Sequence, residues 1–141
     1  MRVTATTRIA CPPDRVFDTL ADLRNELQWN SQVSKAELSS GEPIGQGTRF
    51  SLVNGGRPFD VTITTFERPS RLVLEGSGKP DLTIAYTLTP TADGTELLSD
   101  FDFRPTGALK LLFALLSPVI RRNVPKQYAS LKALCEGAPA S

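Results

Sequence analysis

Six strand-like runs follow one another between Val33 and Phe103, with only short gaps between them: Val33–Leu38, Thr48–Val53, Phe59–Phe66, Arg71–Gly76, Leu82–Thr89 and Thr95–Phe103. Turn formers fill the gaps: Ser40-Gly41-Glu42-Pro43, Asn54-Gly55-Gly56, Arg68-Pro69-Ser70, Gly76-Ser77-Gly78-Lys79-Pro80 and Ala92-Asp93-Gly94. Asn-Gly and Asp-Gly between alternating runs are strong hairpin signals. Parallel neighbours need a crossover of a dozen or more residues, so the spacing predicts an antiparallel meander. Within it, Phe59, Val61 and Ile63 oppose Asp60, Thr62 and Thr64; Ile84, Tyr86 and Leu88 oppose Thr83, Ala85 and Thr87; Leu97, Phe101 and Phe103 oppose Glu96, Asp100 and Asp102. One face is apolar and aromatic, the other polar, as in a sheet with one wet side.

The flanking segments say what covers the dry face. Residues 2–10 alternate as a further strand, which ends at Cys11-Pro12-Pro13-Asp14. Proline suits a helix start, and Val16, Phe17 and Leu20 at helical spacing predict a short helix to Ala21. A second short helix is expected over Asp22–Leu27, running into a loop at Gln28-Trp29-Asn30-Ser31. From Thr106 to Cys135, Leu109, Phe113, Leu116, Ile120, Val124, Leu131 and Leu134 form one helical stripe. About 45 Å of straight helix would cross the whole sheet. Pro118 and Pro125 each remove a backbone donor, so a kink or break is expected at each, with the two halves at different angles.

Composition narrows the chemistry. With 141 residues, a single domain spanning 1–141 is expected. Lys+Arg is 16 against 15 Asp+Glu, a net charge of +1, which leaves no electrostatic footprint for nucleic acid. There is no histidine, which excludes Ser-His-Asp and Cys-His catalysis, an imidazole base and His-ligated metal. Cys11 and Cys135 sit at opposite ends with no CxxC spacing. Two reduced thiols are the expectation, with a disulfide as the alternative, and neither a metal nor a cofactor is expected. The first ten residues lack an apolar signal region, which makes the cytoplasm the default location.

The order β-α-α-β6-α resembles the helix-grip fold of the START-like (SRPBCC) superfamily. Local sequence carries the same resemblance. Ala10-Cys11-Pro12-Pro13-Asp14-Arg15-Val16-Phe17-Asp18-Thr19-Leu20 is similar to the superfamily's first strand-to-helix junction, and Leu27-Gln28-Trp29-Asn30 to its Trp-containing segment. Gly45-Gln46-Gly47-Thr48 is similar to the Gly-x-Gly-Thr before the third strand, Asp93-Gly94-Thr95 to the last hairpin, and Leu131-Lys132-Ala133-Leu134 to the final turn. The resemblance covers nearly the full chain and is closest to the polyketide cyclase/dehydrase-type branch. It implies an α+β domain whose curved antiparallel sheet, of about seven strands, wraps a long C-terminal helix and leaves a deep cavity for an apolar or amphipathic ligand. Lipid and sterol carriers, plant hormone-binding proteins and aromatic-polyketide cyclases share that fold, so the fold alone does not give the function.

The expected cavity lining is Trp29, Phe50, Phe59, Ile63, Tyr86, Phe101 and Phe103 from the sheet side and Leu112, Leu116 and Ile120 from the helix. Each of the aromatics has plain core as its competing reading. Trp29 is read as a gate at the sheet edge or an anchor for the short helices, and Tyr86 as a hydrogen-bonding group whose hydroxyl competes for a backbone partner. Asp60, Asp100 and Asp102 fall on the outer face. The resemblance implies, for a cyclase, an inward Arg near mid-sheet, but Val61-Thr62-Ile63-Thr64-Thr65 has none, and Arg49 and Arg57 stand nearer strand ends. No catalytic residue is therefore assigned. Ala108–Ile120 carries only Lys110 as a charge and is too short to span a bilayer. It is read as cavity wall, as a homodimer contact, or as a surface that meets anionic lipid with Arg121, Arg122 and Lys126. The expected function is binding of a hydrophobic small molecule: a lipid, a polyketide or an aromatic metabolite. A cyclase or dehydratase acting in the same cavity, and an interaction module using the 108–120 helix, are the alternatives.

Overall fold

Seven strands, two short helices and one long helix make up the computed structural model, which describes residues 1–137; the rest of the expected domain 1–141 lies outside the described residues. Chain order is β1 (Arg2–Ile9), α1 (Pro13–Ala21), a single 3-10 turn (Leu23–Asn25), α2 (Glu26–Trp29), β2 (Val33–Leu38), β3 (Arg49–Asn54), β4 (Arg57–Glu67), β5 (Arg71–Ser77), β6 (Asp81–Thr91), β7 (Gly94–Arg104) and α3 (Ala108–Gly137). All pairings are antiparallel, in the spatial order β1-β7-β6-β5-β4-β3-β2. This is the α+β helix-grip arrangement. β1 and β2 are consecutive strands on opposite edges, so α1 and α2 must carry the chain from one edge to the other. The second short helix starts later than its sequence suggests, and Trp29 ends α2 instead of lying in a loop.

Turn chemistry fixes the hairpins. Gly55 and Gly56 have φ of 60° and 78°, the left-handed pair that a tight β3–β4 turn requires. Gly94 meets the backbone of the β1–α1 junction: a Cβ there would lie 2.2 Å from the Ile9 carbonyl oxygen and 2.6 Å from the Cys11 nitrogen. A bulge in β4 between Ile63 and Thr65 shifts the register against β5. Strict alternation from Phe59 would turn Phe66 outward. The extra residue reverses the phase, and Phe66 packs edge-on against Phe17 of α1 at 5.0 Å.

The long helix departs from expectation in two ways. No break occurs at either proline: a single helix runs from Ala108 to Gly137. Pro118 and Pro125 are seven residues apart, two turns, so both rings fall on one exposed stripe where a missing N–H leaves the core-facing ladder intact. The helix also does not cover the sheet along its whole length. Only Val124, Tyr128, Leu131 and Cys135, all in the C-terminal half, are buried, against β1, α1 and α2. Cys11 and Cys135 are both buried and free.

Candidate ligand-binding cavity

A cavity of about 400 Å³ separates the sheet from the N-terminal half of α3. Inward residues of five strands form its floor: Leu52 on β3, Phe59 and Val61 on β4, Leu74 and Gly76 on β5, Ile84 and Tyr86 on β6, Phe101 and Phe103 on β7. α3 supplies the roof through Leu112, Phe113, Leu116, Ile120 and Val124. The end wall is α2, with Glu26, Trp29 and Asn30. Arg57 and Lys79, both exposed, also border it, and the Arg57 guanidinium donates to the Lys79 carbonyl at 3.2 Å.

Of the ten expected lining residues, Trp29, Phe59, Tyr86, Phe101, Phe103, Leu112, Leu116 and Ile120 meet at this cavity. Phe50 and Ile63 do not. Both are fully buried members of the continuous core, together with Val16, Phe17 and Leu20 of α1. Their positions alternate correctly toward the dry face; the short helices fill that part of the sheet and leave the rest open. Arg49 and Asp60 are exposed and away from the cavity. Asp100 and Asp102 are half-buried and also stand away from it. Asp100 pairs with Arg2 at 3.2 Å and Asp102 with Arg104 at 3.3 Å.

Five of the polar lining residues are Glu26 and Trp29 on α2, Asn30 at its C-cap, and the two facing tyrosines, Tyr86 and Tyr128. Tyr86 is 2% exposed, and its hydroxyl is 2.8 Å from that of Tyr128, so its partner is a second side chain and not the backbone. Burial pushes both phenols well above their ordinary value, and each phenol stays protonated. Trp29, 4% exposed, packs against Tyr128 at 5.6 Å between ring centroids. It is a wall of the cavity and not an exposed gate. Its indole N–H has no hydrogen-bond partner among the described residues, a cost of about 1–3 kcal/mol for a buried donor. The Glu26 carboxylate accepts from the Asn30 amide at 3.1 Å. Desolvation outweighs that bond and raises the carboxyl to about 7, although the residue as a whole retains partial exposure.

Sequence reasoning missed Tyr128 and Glu26. Tyr128 lies four residues after Val124 and three before Leu131, squarely on the apolar stripe, so the signal was present. Glu26 offered none: a glutamate in a short helix reads as surface, and only the path of α2 across the sheet turns it inward. Among the described residues no group of three His, Cys, Asp or Glu side chains converges in a way that would hold a metal ion.

Solved structures with the same architecture are numerous and distant in sequence. A protein from Thermus thermophilus superposes with a TM-score of 0.74 at 19% identity, covering 98% of this chain and 99% of that one. A hypothetical protein from Helicobacter pylori gives a TM-score of 0.80 at 14% identity, over 96% and 88%. DynU16, a protein of the dynemicin biosynthetic locus, gives 0.67 at 20% identity, over 93% of this chain and 45% of that one. At these identities the likeness is one of fold. No curated protein matches the chain in sequence. The family model described as polyketide cyclase/dehydrase and lipid transport matches residues 1–136, and the chain belongs to that family.

Proposed function

We propose that the protein binds a hydrophobic small molecule, of lipid, polyketide or aromatic type, that carries one hydrogen-bonding group. The observation behind this reading is the cavity itself: about 400 Å³, walled mainly by aliphatic and aromatic side chains, with a few polar groups among them. Apolar pockets with a few placed polar groups are the usual form of such sites. The Trp29 indole N–H, which has no partner among the described residues, and the Glu26 carboxyl are both in the lining and are the groups we assign to meet that hydrogen-bonding group.

Trp29 is the only tryptophan in the chain, so its fluorescence reports directly on cavity occupancy. Titration with 2-naphthol and with naphthalene is expected to give saturable quenching, tighter for 2-naphthol. Native mass spectrometry of the purified chain should show extra mass that is lost on denaturation. A clean mass together with no saturable quenching by either compound would overturn the reading.

Catalysis in the same cavity is a second reading, favoured by one observation. Glu26 holds a carboxyl near neutrality against an apolar chamber, which suits a general base or acid. The phenols, held protonated, and the rim position of Arg57 offer no comparable group. Exchange of the α-hydrogens of bound acetophenone into D2O should then be faster with the wild type than with Glu26→Gln. Equal rates would remove this reading and leave binding intact.

A further inference from the structure

The N-terminal half of α3 carries a second surface that the cavity does not use. Leu111, Leu115 and Val119 succeed one another at four-residue spacing and are 68%, 70% and 47% exposed. They form a ridge beside the stripe of Leu112, Leu116 and Ile120 that roofs the cavity. Scattered exposed leucines need no explanation; a contiguous ridge on one helix does.

The charges around this ridge are of one sign. From Arg104 to Cys135 the chain has Arg104, Lys110, Arg121, Arg122, Lys126 and Lys132 and no Asp or Glu, in a molecule whose net charge is only +1. Arg104 is held by Asp102 at 3.3 Å and Lys132 by Glu136. Lys110, Arg121, Arg122 and Lys126 have no ion-pair partner among the described residues. Arg104, Lys110 and Arg121 also border a shallow cleft between the end of β7 and α3, with Phe103, Phe113 and Ala114 as its apolar side.

We propose that this face of α3 docks the protein onto a bilayer surface rich in anionic lipid. A helix lying in the interface buries an apolar ridge at the acyl boundary while its basic residues meet the headgroups. Such a helix does not cross the membrane, and no described helix is long and apolar enough to do so. A second copy of the chain fits the face poorly. A two-fold contact through the ridge would set Arg122 and Lys126 of one copy among those of the other, with no carboxylate in the segment to separate them. The proposal does not rest on the cavity reading, because no small ligand takes part in its test.

The test is flotation of the full-length chain with phosphatidylcholine vesicles and with phosphatidylcholine–phosphatidylglycerol vesicles. Flotation is expected only with phosphatidylglycerol present, and high salt should release it. Arg122→Gln/Lys126→Gln should weaken partitioning about thirty-fold, taking roughly 1 kcal/mol for each cation near an anionic surface. Leu111→Gln/Leu115→Gln should lose flotation altogether. All four side chains are exposed, so both variants keep the wild-type circular dichroism spectrum. Any of four outcomes overturns the proposal: no flotation with anionic vesicles, equal flotation with phosphatidylcholine alone, variants that float like the wild type, or a dimer in sedimentation that Leu111→Gln/Leu115→Gln dissociates.

Discussion

Glu26 shows how strongly one residue's environment governs its chemistry. Its carboxyl rises from an ordinary 4.5 to about 7 because the cavity wall removes water from it. A folded-state value above the unfolded one means that the native state holds the proton more tightly. The associated stability is fully present below pH 4.5 and is lost as pH climbs through about 7. Denaturant unfolding should therefore show the wild type weakening by about 1–3 kcal/mol across that window, and Glu26→Gln should flatten the slope. A wild-type profile parallel to that of the variant would count against the inward placement of this carboxyl. Gly94 is decisive for a different reason. Any side chain there runs into the β1–α1 backbone, which cannot yield as a flexible side chain would. Gly94→Ala should cost more than about 2 kcal/mol of unfolding free energy, whereas Gly41→Ala, in open space, should change little.

At the level of elements, α3 is two devices in one helix. Its C-terminal half is core: Leu131 is fully buried and Tyr128 closes the aromatic cluster with Trp29, Tyr86 and Phe101. Its N-terminal half roofs a cavity on one side and meets solvent on the other. Truncation should separate the two. Leu131→Ala is expected to lower stability by about 2–5 kcal/mol, and Leu115→Ala, at a 70% exposed position, by no more than about 0.5 kcal/mol. Comparable losses from both would mean that the N-terminal half packs on something in solution. The β4 bulge is the other element that matters. It adds one residue, turns Phe66 to meet Phe17, and closes the filled end of the sheet with an aromatic contact.

For the whole molecule, core and cavity divide the dry face of the sheet between them. α1 fills the part over β6 and β7 and meets β4 by way of Phe17 and Phe66, and the C-terminal half of α3 covers β1. What remains is chamber. A folded protein with an apolar chamber gains stability from whatever occupies it, by mass action. 2-Naphthol at a hundred times its dissociation constant should raise the unfolding free energy by about 2.7 kcal/mol. A thermal unfolding midpoint unmoved by saturating 2-naphthol would contradict occupancy of the native state.

The chain's own letters determined the seven strands, the long helix and their faces, because side-chain alternation, turn residues and helical spacing are local properties that need no partner. Seven of the ten expected wall residues, the strand and α3 residues that meet at the cavity, follow from those local patterns alone. The helix path through Pro118 and Pro125, the core placement of Phe50 and Ile63, and the inward turn of Glu26 were decided only by the tertiary structure. Each depends on which element arrives to cover a given face. β1 and β2 pair at opposite edges of the sheet, and the link between them must cross it. That crossing brings Glu26 and Trp29 to the end of the cavity, and it arises from strand order, which no local pattern encodes.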